Sequence, residues 1–242
     1  MTIETRKLTV GGVRISVVRK PIKNLHLGVY PPGGRVRVAV PLAVSDAAVR
    51  VAVIRKLRWI QRQQAAFHGQ ARESEREMVS GESHYFLGRR YRLEVVYADA
   101  PPRVSLRGGR RMELRVRTGA DAASRQWVLH RWYRQRLREL VPPLIEKWQL
   151  ALGVELADWG IKAMKTKWGS CNPRAKRIWL NLELAKKPLS CLEYLVVHEL
   201  AHLLVRNHDA RFIALMNLHL PRWRQHRATL NAAPLSHAEW TY

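Results

Sequence analysis

Short segments of alternating apolar and polar residues dominate the first 41 residues, a pattern typical of strands with one buried face. Four segments fit this pattern: 7–10, 13–18, 25–30 and 36–40. Paired glycines at 11–12 and the proline- and glycine-rich segment 31–34 predict turns between them. Because the polar positions of these strands are largely arginines, we expect one face of the sheet to be basic.

From residue 46 to about 66 the apolar positions recur at helical spacing, after Ser45, which can cap a helix. Polar residues over 68–80 indicate a linker. Three further strand candidates follow at 85–97, 103–106 and 112–117, and we expect them to extend the first sheet. These patterns predict a β-rich N-terminal region over 1–118 with one helix, and a domain boundary near residue 118.

Helical spacing returns at 121–150, where Pro142 and Pro143 predict a kink or a break. A short strand at 161–165, a loop at 166–173 and a strong strand at 177–184 come next. An apolar helix at 191–204 and a second helix from Asp209, its expected N-cap, to about 219 complete the pattern, with a weakly structured tail at 232–242. The predicted fold class is therefore α+β: the β-rich region, then a mainly helical domain over 119–231 with a small sheet.

The apolar helix at 191–204 carries the residues that point to a chemistry. His198 and His202 are four residues apart, so both imidazoles lie on one helical face and can bind one metal ion. Glu199 lies one step round the helix, where its carboxylate can reach a water molecule on that ion. This is the His-Glu-x-x-His arrangement of zinc hydrolases. Ser190 and Glu193 form an expected capping box at the start of the helix.

A catalytic zinc site takes a third protein ligand, and His208 is the leading candidate. It follows His202 by six residues, the interval of the long metzincin signature. That signature has a glycine where this chain has Val205, so we expect the turn to use Arg206 or Asn207, of which Asn better tolerates positive φ.

Carboxylates after Glu199 are the rival ligands, and only Asp209 and Glu239 are present. Asp209 is better suited to capping a helix, and Glu239 lies close to the end of the sequence. The predicted site is therefore Zn²⁺ held by His198, His202 and His208, with Glu199 as general base. We expect the remaining nearby histidines to be ordinary surface residues: His219, His226 and His237. Candidates for stabilising the oxyanion are Tyr194, Arg177, Arg206 and the segment 168–170.

The charge balance favours an anionic partner, since 43 Lys and Arg against 19 Asp and Glu give a net charge of +24. Nucleic acid, a phosphorylated substrate or a membrane surface could each be this anionic partner. The same charge balance would also fit a basic surface that is merely solvated and binds no partner. The N-terminus has no apolar core of a signal peptide, no apolar run reaches the roughly 20 residues of a membrane span, and there are two cysteines. We therefore expect a cytoplasmic protein without a membrane partner.

Three segments together resemble the YgjP-like metal-dependent hydrolases, which are similar to the SprT and Wss-type metalloproteases: 165–172 (KTKWGSCN), 178–184 (IWLNLEL) and 197–203 (VHELAHL), followed by His208 and Phe212. The resemblance implies a zincin-like catalytic domain, with metal ligands at His198, His202 and His208 and a catalytic Glu199. It also implies that a strand beside the metal helix aligns the substrate, for which 177–184 is the expected segment.

Three functions remain open on the sequence. The leading hypothesis is a zinc-dependent metallopeptidase acting on a peptide or protein. The alternatives are a metal-dependent nucleotide phosphohydrolase, which a basic cleft would suit, and a nucleic-acid-associated module with a structural metal site. Glu199 argues against the last of these, because a structural site needs no general base.

Overall fold

The computed structural model describes residues 5–30, 34–69, 76–164 and 167–232, with the backbone alone for 66–69. The described residues form two compact units, 5–69 and 76–232. The boundary predicted at 118 thus lies inside the second unit. Residues 70–75 of the predicted linker lie outside the described residues.

The first unit is a four-stranded sheet with two helices. Its strands are β1 (Thr5–Val10), β2 (Val13–Lys20), β3 (His26–Tyr30) and β4 (Arg35–Pro41), in the order β1-β2-β4-β3. The four predicted strands are confirmed, whereas the single predicted helix is two, α1 (Asp46–Arg55) and α2 (Leu57–Gly69). The break falls at Lys56, whose φ and ψ of −105° and 5° end α1. Ser45 caps α1 as predicted, accepting from the Ala48 amide at 3.2 Å.

The second unit begins with its own sheet of β5 (Ser83–Phe86), β6 (Arg89–Tyr97), β7 (Arg103–Arg107) and β8 (Arg111–Val116), in the order β5-β6-β8-β7. The prediction that these strands extend the first sheet was wrong. Their buried face, including Leu93, Met112 and Leu114, shares one core with α3 (Ala122–Leu152). The strands therefore belong with the helix that follows them.

Helix α3 runs for 31 residues without the break that Pro142 and Pro143 allowed. Leu137, Val141 and Ile145 are buried on either side of the prolines, so packing holds the helix where backbone hydrogen bonds are missing. Asp121 caps its start, and Gly153 ends it in the left-handed conformation.

A three-stranded sheet supports the region of interest: β9 (Asp158–Lys162), β10 (Gly169–Asn172) and β11 (Arg177–Asn181), in the order β10-β11-β9. The predicted loop at 166–173 therefore contains a strand, because Gly169–Asn172 pairs antiparallel with Arg177–Leu180. The predicted strand 177–184 is shorter, since Leu182–Lys186 is a 3-10 helix.

Helices α4 (Leu189–Ala201), α5 (Ala210–His219) and α6 (Trp223–Ala232) complete the described chain. The predicted capping box is absent: Pro188 occupies the N-cap of α4, and Glu193 instead accepts hydrogen bonds from Lys147 and Trp148. Helix α6 was not predicted, and residues 233–242 of the predicted tail lie outside the described residues. The α+β fold class is confirmed. None of the described helices combines the length and apolar character needed to cross a bilayer.

Candidate metal centre

Helix α4 carries His198 and Glu199, and its C-cap residue is His202. Neighbouring residues of the helix, including Leu195, Val196, Val197, Leu200 and Ala201, are all buried, so the helix is fixed in rotation within the core. The rings of His198 and His202 lie 4.9 Å apart between centroids, as expected for side chains one helical turn apart.

The chain turns back after α4 and brings His208 to the same place. Amides of Leu203, Leu204 and Val205 bond to carbonyls of the last turn of α4, and Asp209 then caps α5 by accepting from the amides of Arg211 and Phe212. The expected positive φ is not used, since neither residue 206 nor 207 is among the described residues with positive φ. The capping role predicted for Asp209 is confirmed.

The three histidines form a group that could hold a metal ion. One ring nitrogen from each of His198, His202 and His208 lies within 4.8 Å of the others. The Nε2 atoms of His198 and His208 are 3.0 Å apart. Two nitrogens bound to one tetrahedral zinc at about 2.05 Å would be roughly 3.3 Å apart, so this spacing fits a shared ion.

Contacts behind the rings set which nitrogens face the shared space. Nδ1 of His202 lies 3.0 Å from the carbonyl oxygen of Val205. Because a carbonyl only accepts, this Nδ1 carries the proton and Nε2 keeps its lone pair. On His198, Nδ1 faces the Tyr194 hydroxyl at 3.5 Å. Phe212 closes the group from α5, with its ring centroid 4.8 to 5.0 Å from all three imidazoles.

The electrostatics of the group favour neutral imidazoles. Burial lowers the pKa of His198 to about 3, with smaller contributions from His202, His208 and Arg227. Burial also lowers the pKa of the more exposed His208. A neutral imidazole is the form that binds a metal ion, so the lowered pKa values of His198 and His208 favour metal binding by these two residues.

Glu199 lies in a close-fitting space beside the histidines. Its side chain is 4% exposed, and burial raises its pKa to about 8, opposed by the positive charge of Lys167. The backbone of Gly169 in β10 passes so close that a Cβ there would lie 2.5 Å from Glu199 Oε1. Only glycine leaves room for the carboxylate at this point. The glycine of the Trp-Gly-Ser-Cys segment therefore has the role of making space for the Glu199 side chain.

Asn181 holds the segment that precedes Gly169, a role that the sequence did not reveal. Its side-chain amide donates to the carbonyls of Met164 and Lys167, both at 2.8 Å. Its Oδ1 accepts from the amides of Met164 and Glu183. Asn181 is 4% exposed, so these bonds satisfy a buried polar side chain and fix the entry to β10.

Two open recesses meet at Glu199. One, of about 520 Å³, includes Tyr194, Trp223 and Arg227 in its lining. The other, of about 940 Å³, is bordered by the strand Gly169–Asn172 and by Arg206. Both are also lined by a shared set of residues: Lys167, Gly169, His198, Glu199 and His208. A long substrate bound beside the histidines could therefore extend into both recesses.

Other predicted residues lie at varying distances from this centre. Arg177 pairs with Asp158 at 2.7 Å and lines neither recess, so its candidacy for oxyanion stabilisation fails. His219 and His226 are half-buried and outside the metal-binding group, while His237 and Glu239 lie outside the described residues. Arg227 was missed, because nothing in the sequence indicates that α6 would border the site.

Comparison with known proteins identifies the relationship. The sequence profile of the YgjP-like metallopeptidase domain matches residues 23–233. The chain belongs to the YgjP-like family. This membership makes it a metal-dependent hydrolase of the metallopeptidase class and confirms the resemblance drawn from the motifs. No curated protein matches the sequence.

Among solved structures, the chain is similar to the metallopeptidase zymogen jannalysin of Methanocaldococcus jannaschii. The two share 21% identity over 36% of this chain and 90% of jannalysin, with a TM-score of 0.33.

Proposed function

We propose that this YgjP-like protein is a zinc-dependent peptidase whose ion is held by His198, His202 and His208, with Glu199 as the general base. The observation that carries the proposal is the convergence of three ring nitrogens within 4.8 Å beside a buried carboxylate. Three protein ligands leave one coordination position for a reacting molecule, as in catalytic rather than structural zinc sites.

The donor set supports zinc as the metal. Three neutral imidazoles suit zinc better than calcium or magnesium, which prefer oxygen ligands. Asp209 is a weaker candidate than His208 for the third ligand, because its carboxylate is occupied by two amides at the N-terminus of α5. The hydrogen bond between His202 and Val205 orients the ring as metal-binding histidines require.

Each group has a defined role in the proposed reaction. Bound zinc would supply Lewis-acid chemistry, lowering the pKa of water and polarising the carbonyl of a peptide bond. Glu199 accepts the proton that the attacking water loses and delivers it to the leaving amine. Burial raises the pKa of Glu199, which makes its ionised carboxylate a stronger base toward the proton of the water. Of the predicted oxyanion candidates, Tyr194, Arg206 and the segment 168–170 line the recesses.

The substrate would lie along β10. The expected aligning strand, β11, is paired on both sides, with β10 and with β9, so it has no free edge for a peptide. Within the described residues β10 pairs only with β11, and its residues border the larger recess. An extended peptide can add to this edge by backbone hydrogen bonds, which places its scissile bond near Glu199.

A nucleotide phosphohydrolase remains the second candidate, because the cleft is strongly cationic. Lys167, Arg174, Arg206 and Arg227 line the two recesses. Among the described residues of the lining, Glu199 is the one with a carboxylate. Such a lining attracts phosphate groups as well as acidic peptides.

Turnover by wild type and Glu199→Gln separates these functions. We expect wild type to cleave an unfolded protein, and Glu199→Gln to keep its zinc but lose turnover by at least about 100-fold, the typical contribution of a general base. Glu193→Gln is the matched control on the same helix, since Glu193 contacts Lys147 and Trp148 rather than the site. Turnover of nucleoside triphosphates alone would replace the peptidase proposal with its alternative. Activity unchanged in Glu199→Gln would exclude both.

A further inference from the structure

The smaller recess at the metal centre, of about 520 Å³, has mostly apolar walls. They come from three helices: Leu195 on α4, Phe212 and Ile213 on α5, and Trp223 and Leu230 on α6. Four of these side chains belong to the core of the second unit: Leu195, Phe212, Trp223 and Leu230. Because core side chains are held by close packing, the walls are rigid, and the recess is large enough for a substrate side chain.

Helix α6 holds Arg227 in the middle of its part of this apolar wall. Trp223, Arg227 and Leu230 follow one another at intervals of four and three residues, so they share one face of the helix. Trp223 and Leu230 are buried there, whereas Arg227 is exposed and lines the recess. The ring of Trp223 stacks on that of Tyr194 in α4 at 6.3 Å between centroids, and its Nε1 donates to Asn217 in α5 at 2.9 Å. These contacts fix the backbone that carries Arg227 against both neighbouring helices.

The charge of Arg227 acts within the site and has no acidic counterpart there. Burial is the main cause of the pKa shifts of Tyr194, His198 and His208. The positive charge of Arg227 acts on all three pKa values in the downward direction, so it lies close to these groups. Within the described part of the chain, its guanidinium has no carboxylate partner, and Glu199 is the one described residue of the recess lining that has a carboxylate. The guanidinium is therefore available to an anionic group of a substrate.

We propose that Arg227 is a specificity-determining residue, which binds an acidic side chain of the peptide next to the bond that is cleaved. The inference rests on the peptidase function proposed above. The smaller recess shares His198, Glu199 and His208 with the metal centre, so the side chain that it binds adjoins the reacting bond.

A glutamate side chain matches the smaller recess in both of its parts. Its methylene groups can contact the apolar walls, and its carboxylate can accept two parallel hydrogen bonds from the guanidinium of Arg227. Glutamine has the same shape but cannot form the charge-assisted pair. An aromatic side chain would fill the walls but would shield the guanidinium from water without giving it an acceptor, which is unfavourable.

Peptide cleavage by the full-length, zinc-loaded protein tests the proposal. Mass spectrometry of the products from an unfolded protein identifies the bonds that are cut, and we expect Glu or Asp at one fixed position adjoining them. A peptide containing such a bond is then made in four forms, with Glu, Gln, Lys or Phe at that position. Because a hydrogen bond to a charged group is stronger than a neutral one, we expect kcat/KM of wild type to be about 10-fold to 100-fold higher for the Glu peptide than for the Gln peptide.

Substitutions of Arg227 separate recognition of the substrate from support of the fold. We expect the ratio of kcat/KM for the Glu peptide to that for the Gln peptide to fall to about one in Arg227→Gln and to stay above one in Arg227→Lys, which keeps the charge. Arg227→Glu should prefer the Lys peptide to the Glu peptide, a reversal that a damaged fold would not produce. Arg222→Gln is the matched control, because Arg222 is exposed next to α6 and lines neither recess, and its ratio should equal that of wild type.

The possible failures of this inference and of the peptidase function have different outcomes. The inference alone is overturned if wild type cleaves peptides but does not prefer the Glu peptide to the Gln and Phe peptides. It is also overturned if the preference persists in Arg227→Gln, falls equally in Arg222→Gln, or if Arg227→Gln loses turnover of all four peptides equally, which would make the role of Arg227 structural. If zinc-loaded wild type cleaves no peptide at all, the peptidase function and this inference are both overturned.

Discussion

Gly169→Ala tests the close fit between β10 and the catalytic carboxylate. The new methyl group would lie 2.5 Å from Glu199 Oε1 and 3.0 Å from Cδ and Cγ, where ordinary contacts are at least 3.4 Å. The carboxylate must therefore move by about 1 Å. A displacement of that size can lower turnover about 100-fold, equivalent to about 2.7 kcal/mol of transition-state stabilisation.

The histidine cluster should be affected far less, because the methyl group reaches Glu199 first. We expect kcat on an unfolded protein to fall about 100-fold while the zinc content of Gly169→Ala stays at the wild-type level. Gly108→Ala is the matched control: no heavy atom lies within 4 Å of its added methyl group, and its φ is not positive. Wild-type turnover in Gly169→Ala would refute the argument that glycine is required beside Glu199, and a parallel loss of zinc would show that the methyl group disturbs the whole centre.

Three further predictions concern stability and reactivity. Asn181→Ala leaves the carbonyls of Met164 and Lys167 without their donor. We therefore expect the free energy of unfolding in urea to fall by about 2–4 kcal/mol, together with reduced turnover. An unchanged midpoint of urea unfolding would contradict this prediction. Burial lowers the pKa of His84, so the unfolded state takes up a proton below about pH 6.5 that the folded state resists. Stability should fall as the pH drops through that value, by at most about 1.4 kcal/mol at pH 5.5 from this residue, and His84→Gln should lose less than wild type over the same range. Burial, with the charge of Glu199, raises the pKa of the Cys171 thiol to about 11. Its alkylation by iodoacetamide at pH 7.5, followed by intact mass, should therefore be at least about 100-fold slower than that of glutathione. In urea, the alkylation rate of Cys171 should rise to that of glutathione.

Local patterns predicted the parts of the fold that depend on nearby residues. The four N-terminal strands follow from alternation, and the start of α5 follows from Asp209, whose side chain bonds to two amides close to it in sequence. The pairing of His198 with His202 follows from helical spacing alone, so the sequence predicted that they share a face.

Features that depend on distant contacts could not be predicted in this way. The segment 169–172 becomes a strand only because β11 pairs with it, and its short, polar sequence indicated a loop. Pro142 and Pro143 remain within α3 because side chains from other elements pack around the helix. The roles of Gly169 and Asn181 were equally inaccessible, since each depends on a partner that the fold brings from elsewhere: Glu199 for the glycine and the carbonyls of 164 and 167 for the asparagine.

Metal analysis of purified wild type and His208→Ala tests the central claim most directly, with His219→Ala as the matched control from the same region of the chain. We predict about one zinc per chain in wild type and in His219→Ala, and a large loss in His208→Ala, because two remaining histidines bind zinc far more weakly than three. Equal zinc in His208→Ala and wild type would contradict the assignment of His208 as a ligand and with it the proposed three-histidine centre.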